Sequence, residues 1–198
     1  MNLLAGCAAI AFLELDATLV AQTFVSRPLV VGAAVGTMSG KPLAGVLFGA
    51  SYELLGLCNL PVGGCLNWSG AVAAGTAALL AGAHISFPLC FAGGLAAGVL
   101  HARAEAFERE RRGRTVDAVA ARAEAGGSAL GLSLCSSLAV HAAMTFAVAL
   151  AVTGAVMLAD RGAWSYLPEF IRTGFALAAS SAPWIGLSGV AAWGLRRA

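Results

Sequence analysis

The chain has 198 residues, 59% of them hydrophobic and only 11% charged, with a mean hydropathy of +0.83. Soluble domains carry about 25% charged residues, so this composition cannot clothe a water-facing surface, and a soluble globular enzyme is excluded. The net charge of +2 is scattered and gives no electrostatic footprint for nucleic acid. The 25 glycines suit closely packed membrane helices, and the composition reads as an integral membrane protein.

At the amino end the first basic residue is Arg27, and Glu14 and Asp16 interrupt the apolar run, so no cleavable signal is expected. A charge at membrane depth costs at least ~2.5 kcal/mol, so each such residue is expected to be paired or functional. Glu14 and Asp16 lie two residues apart and point to different faces of a helix, which rules out a side-by-side carboxylate pair. Arg27 reads as an interfacial anchor or as a partner for Asp16 or Glu53.

Residues 28–64 do not read as simple crossings. Gly32, Gly36 and Gly40 repeat at four-residue spacing, as do Gly45 and Gly49. On helices this stacks glycines on one face and lets backbones approach. Gly40-Lys41-Pro42 and the PVGG run at 61–64 are predicted breaks. The intervening half-spans are short for a crossing and suit a re-entrant hairpin. Broken helices leave backbone polar groups that need protein, water or a polar substrate, which is how transporters build binding sites. GTMSGK at 36–41 is not a phosphate-binding loop, because its spacing is one residue short and Pro42 follows the lysine.

Glu53 stands ahead of 49 uncharged residues, Leu54 to Ala102, a stretch long enough for two crossings. Within it, Asn67-Trp68-Ser69 offers an amide, an indole and a hydroxyl, groups suited to sugar hydroxyls and to the C–H face of a sugar ring. Trp68 suits an interfacial anchor equally well. The five cysteines form no CxxC pair and read as single thiols at helix interfaces. His84, His101 and His141 stand alone in sequence and read as packed or interfacial. No hydrolase or metalloenzyme motif is present.

Residues 103–124 hold six arginines and five acids and read as an amphipathic helical loop in water, with Gly113 a possible break. The arginine bias places this loop in the cytoplasm. Two further charge-free runs, Ala125–Ala159 and Thr173–Leu195, predict a two-helix membrane hairpin turning at Asp160-Arg161-Gly162. Trp164, Tyr166 and Trp184 suit interfacial positions. The predicted fold is all-α and polytopic. It comprises a membrane region with broken helices over 1–102, a charged cytoplasmic loop over 103–124 and a membrane hairpin over 125–198.

The residues Leu15-Asp16-Ala17-Thr18, Gln22, Ser26-Arg27-Pro28-Leu29-Val30-Val31-Gly32, the spaced glycines, Glu53-Leu54 and Pro61-Val62-Gly63-Gly64 together resemble the IIC membrane component of the mannose/fructose/sorbose-type bacterial phosphotransferase system. The LPEFIRTG run at 167–174 is similar to a family segment entering a late helix. The resemblance implies a sugar permease subunit in the bacterial inner membrane. It would pair with a IID membrane subunit and be served by IIA and IIB proteins, which carry phosphate on histidines and phosphorylate the sugar. It implies no cofactor, no metal and no phosphoacceptor on this chain, and leaves room for a homo-oligomer. By motif position Asp16, Gln22, Arg27 and Glu53 become candidate substrate-site residues, with Asn67 and Trp68 beside them. Asn67-Trp68-Ser69 stands where many relatives carry a Pro-Pro-Asp-like element, Lys41 where an Asp is common, and relatives usually continue beyond the helix ending at Leu195. These departures suggest the alternative of a regulatory scaffold that docks phosphotransferase proteins through 103–124.

Overall fold

The glycine ladders meet each other. In the structure, a computed structural model that describes residues 2–18, 23–57, 67–124 and 129–195, helix α1 (Leu3–Thr18) is followed by α2 (Pro28–Met38) and α3 (Pro42–Gly56). Both α2 and α3 begin on proline, whose fixed φ suits a first helical turn and whose missing N–H is not needed there. Gly40, at φ +74°, closes α2: its N–H donates to Thr37 O at 3.1 Å and that of Lys41 to Gly36 O at 2.8 Å. The chain then reverses into α3. A Cβ on Gly45 would collide with Gly32 O, one on Gly36 would lie 2.8 Å from Gly45 Cα, and one on Gly49 2.7 Å from Leu29 Cα. The two helices touch backbone to backbone, as the spacing predicts. At about 1.5 Å per residue, α2 is ~16 Å long and α3 ~22 Å, against ~30 Å of hydrocarbon.

Helix α4 (Gly70–Gly82) is enclosed on every side. All ten residues from Ala71 to Leu80 are buried, and α1, α2, α3, α5 (Phe87–Gly113) and α7 (Ala129–Arg161) pack around it. A helix apolar all round belongs inside a protein or a membrane. Nine of its 13 residues are alanine or glycine, which lets its neighbours approach closely: Gly94 of α5 rests on Ala73 O, and Gly75 faces Ile10 and Val31. Here the structure differs from the expectation of two crossings between Leu54 and Ala102. α4 has 13 residues, and among the described residues only α5 draws on that stretch for a helix long enough to span. A helix covered by protein has no need to match the thickness of lipid.

α5 runs unbroken from its apolar start into the charged stretch and ends at Gly113, the predicted break. α6 (Val116–Glu124) follows. The first half of the charged stretch is not simply solvated, however: Glu105 and Glu108 are buried. α7 (Ala129–Arg161), the short α8 (Ala163–Tyr166) and α9 (Glu169–Leu195) complete the chain, with the turn where the sequence places it. α7 packs on α1 and α5, and α9 on α3 and α5, where Gly186 meets the backbone of Leu54. Both arms of the hairpin thus lean on α5. Trp164 packs against Phe175, and Tyr166 is exposed beside it. α5, α7 and α9 are the candidate membrane spans, and the chain is an all-helical polytopic membrane protein. α7 and α9 leave Leu158, Leu177 and Ile185 uncovered, as lipid-facing helices do.

Gly45→Ala is expected to destabilise the fold by about 3 kcal/mol or more, because its methyl meets backbone rather than a movable side chain. Gly154→Ala, in α7 with open space around it, is expected to leave the unfolding midpoint unchanged. Thermal unfolding of both variants in detergent checks the contrast.

Candidate functional site

Asp16, near the end of α1, organises the turn that leads into α2. Its carboxylate accepts from Thr23 N at 2.9 and 3.1 Å, Thr23 Oγ1 at 2.9 Å and Ser26 N at 3.3 Å. Phe24 in that turn sits at φ +71°, a conformation that costs a non-glycine residue about 1–2 kcal/mol. The carboxylate offsets that strain. The Arg27 guanidinium lies over the Phe24 ring, 5.2 Å from its centroid.

Arg27 then reaches α3. Its Nη1 donates to Glu53 Oε1 at 3.1 Å, and the second Glu53 oxygen accepts from Leu29 N at 3.2 Å. Of the two partners open in the sequence, Arg27 takes Glu53. Glu53 caps α2 from a neighbouring helix, where a negative charge meets the positive end of the helix dipole. The Arg27 side chain is 50% exposed, so the ion pair itself contributes no more than about 1 kcal/mol.

Beside Glu53, Tyr52 is fully buried, stacks on Phe91 and donates its hydroxyl to Phe91 O at 2.5 Å. Trp68 stands edge-on to Tyr52, with ring centroids 5.6 Å apart. Asn67 precedes it, half-buried, in the extended lead into α4. Ser69 is the N-cap of α4: its Oγ accepts from Val72 N at 3.3 Å and donates to Glu14 Oε1 at 2.8 Å, while its backbone N–H donates to Gly98 O of α5 at 3.1 Å.

These contacts close a circuit. Asp16 holds Ser26, Arg27 follows it and binds Glu53, and Tyr52 next to Glu53 meets Trp68. Ser69 next to Trp68 binds Glu14, half a turn from Asp16 on α1. The structure therefore brings Asp16, Arg27, Glu53, Asn67 and Trp68 to one junction, where α1 and α3 finish and α2 and α4 begin. Gln22 lies outside the described residues, as does the PVGG run. The junction offers a half-exposed cation, a carboxylate, a hydroxyl and aromatic faces, a set able to bind a polyhydroxylated ring.

Sequence reasoning did not single out Tyr52, named no partner for Glu14, and offered the Ser69 hydroxyl to a sugar without placing it as a helix cap. The N-cap preference of serine ahead of an apolar helix could have located Ser69. Two of the histidines that stand alone in sequence are packed together in the structure. His101 and His141 are fully buried, ring against ring at 5.5 Å. His101 reaches Thr145 Oγ1 at 2.9 Å and faces Glu14, and His141 Nδ1 reaches Glu108 Oε2 at 3.2 Å. No group of three or more metal-ligating side chains comes together among the described residues.

Short helices reversing within an all-helical membrane protein, their ends converging on charged and aromatic side chains, define a membrane protein of the broken-helix kind. Residues 2–192 match the family described as "PTS system sorbose-specific iic component", and the chain belongs to that family. It is a membrane-embedded permease component of a sugar phosphotransferase system, and the family works in association with the system's other components. A solved structure described as "Structure of membrane protein" shares the fold with a TM-score of 0.74 at 21% identity, over 95% of this chain and 77% of that chain. No curated protein matches.

Glu53→Ala removes both the partner of Arg27 and the acceptor for Leu29 N, and is expected to cost about 1–2 kcal/mol of stability. Glu53→Gln keeps an acceptor oxygen and is expected to cost under about 1 kcal/mol. Thermal unfolding in detergent distinguishes them.

Proposed function

We propose that this chain is the IIC subunit of a phosphoenolpyruvate-dependent system in a bacterial inner membrane, translocating a mannose-type hexose whose phosphorylation by IIA and IIB proteins completes uptake. A IID membrane subunit is its partner in the bilayer. The observation that carries the reading is the junction itself: Arg27–Glu53 and Trp68, distant in sequence, meet where short helices end. In this reading the free donors of Arg27 and the carboxylate of Glu53 take adjacent sugar hydroxyls, and Trp68 covers the C–H face of the ring. Asn67 and Gln22 add amide contacts. Asp16 acts one step back, holding the turn that aims Arg27. Phosphorylation adds charge to the sugar and so raises the cost of its return through the bilayer.

A second reading, the scaffold that docks phosphotransferase proteins through 103–124, draws on a groove of about 560 Å³ between the end of α5, α6 and α7, with Arg111 and Arg112 on its wall. Uptake decides between the two. Phosphoenolpyruvate-dependent uptake of labelled mannose-type hexoses is measured with the gene deleted and then restored, and loss followed by recovery is the outcome the permease reading expects. With Glu53→Gln restored instead, a lost charge-assisted bond of about 1.5–3 kcal/mol corresponds to a 10- to 100-fold weaker apparent affinity. Uptake indifferent to deletion across the hexoses would shift the reading to the scaffold.

A further inference from the structure

The buried polar groups behind Ser69 contain a conflict that only a proton resolves. Thr145 has one hydroxyl hydrogen and gives it to His141 O, one turn back on α7, at 2.9 Å. Its oxygen is then the acceptor in the 2.9 Å contact with His101, so Nε2 of His101 carries a hydrogen. A neutral imidazole has a single N–H, which leaves Nδ1 a bare lone pair. That lone pair faces Glu14 Oε1 at 3.9 Å, with His101 0% and Glu14 3% exposed. Neither His101 Nδ1 nor Glu14 Oε2 has a hydrogen-bond partner. An ionised Glu14 opposite a neutral His101 would set acceptor against acceptor away from water, at a cost the interior does not screen.

We infer that Glu14 and His101 form a proton-binding site, holding one proton between them, and that this proton is linked through Ser69 to sugar binding. On Glu14 the proton gives the Nδ1 lone pair an O–H to face; on Nδ1 it makes an imidazolium that faces the carboxylate across 3.9 Å. On α5, Glu105 lies one turn beyond His101 and is itself held by Arg109. On α7, His141 Nδ1 lies 3.2 Å from Glu108 Oε2, and Arg112 pairs with the other Glu108 oxygen at 3.3 Å, so Glu108, unlike Glu14, has a permanent cation beside it. On α1, Asp16 is turned away to Thr23. Helix α4 carries no titratable residue.

The link to substrate rests on the proposed sugar site. Ser69 Oγ donates to Glu14 Oε1 at 2.8 Å. A sugar that takes the Ser69 hydrogen deprives Glu14 of that donor, and a protonated Glu14 bears the loss better than an ionised one. Sugar affinity is therefore expected to fall as pH rises through the point where the pair loses its proton, by up to about tenfold per pH unit, since the coupling is reciprocal.

The full chain in lipid nanodiscs carries the test. Infrared spectra and ¹⁵N-histidine NMR at neutral pH are expected to show either a protonated-carboxyl band that Glu14→Gln removes or an imidazolium signal that His101→Gln removes. Wild-type protein with neither would overturn the site. Thr145→Val, nearly isosteric, releases Nε2 so that a neutral His101 can donate from Nδ1 to ionised Glu14. It is expected to move the titration midpoint to lower pH, and an unmoved midpoint would overturn the tautomer assignment. Glu14→Gln keeps an acceptor for Ser69 and a donor for Nδ1, and is expected to flatten the pH dependence of labelled mannose binding. A wild-type affinity independent of pH would overturn the linkage. No mannose-type hexose bound at any pH, with the proton signals intact, would sink the sugar reading and leave the proton site standing.

Discussion

The rest of the molecule depends on the cap of α4. A helix of alanine and glycine, buried along ten consecutive residues, can be approached closely from every side, but its first N–H groups must find acceptors inside the protein. Ser69 supplies one, and the same residue ties α1 through Glu14 and α5 through Gly98 O. Three helices are thus registered against one another by a single serine. Trp68 is placed by that registration: its ring lies over Gly98, where a Cβ would meet Ser69 O at 2.6 Å and the indole at 3.2 Å. The junction inherits its geometry from this cap.

Two packing regimes follow. α1 to α4 are short because protein covers much of them, and their partners are backbone and small side chains: Gly32 against Gly45, Gly49 against Leu29, Gly94 against Ala73. In lipid there is no hydrophobic gain from hiding one apolar helix against another, so close contact and hydrogen bonding hold such helices together. α7 and α9 present exposed leucines and isoleucine along their length. α5 belongs to both regimes, with glycines toward α4 and Val99 and Leu100 outward.

What was legible in the sequence was local or periodic. The glycine spacing gave the α2–α3 contact, Gly40-Lys41-Pro42 the reversal, and the charge-free runs the carboxyl hairpin. Arg27 and Glu53 were legible as charges that needed an explanation, and their pairing was one of the options open. The histidine cluster was not legible, because Glu14, His101 and His141 are far apart in the chain and each stands alone in its own segment. One signal was nevertheless present. His101, Glu105, Glu108 and Arg112 follow at spacings of four, three and four, continuing the face that Gly94, Ala97 and Gly98 turn toward the core. Counting Glu105 and Glu108 with the solvated charges of 103–124 hid a helical stripe, because the period of a buried face does not stop where its residues cease to be apolar.

That stripe carries charge inward, and its composition explains how the interior tolerates it. Glu105 and Glu108 are each answered by an arginine one turn on, Arg109 and Arg112, whose longer side chains reach back toward water. Glu14 has no such arginine. It has Ser69 on one side and an imidazole, locked by Thr145, on the other. A carboxylate balanced by arginine is balanced permanently, since guanidinium does not titrate in a protein. A carboxylate answered by a serine and a histidine is balanced only while a proton is shared, as proposed above, and the serine that helps hold it is the cap on which the placement of Trp68 depends. The same hydroxyl therefore caps α4 and holds Glu14, and in the proposed mechanism it joins the fold to both proton and substrate.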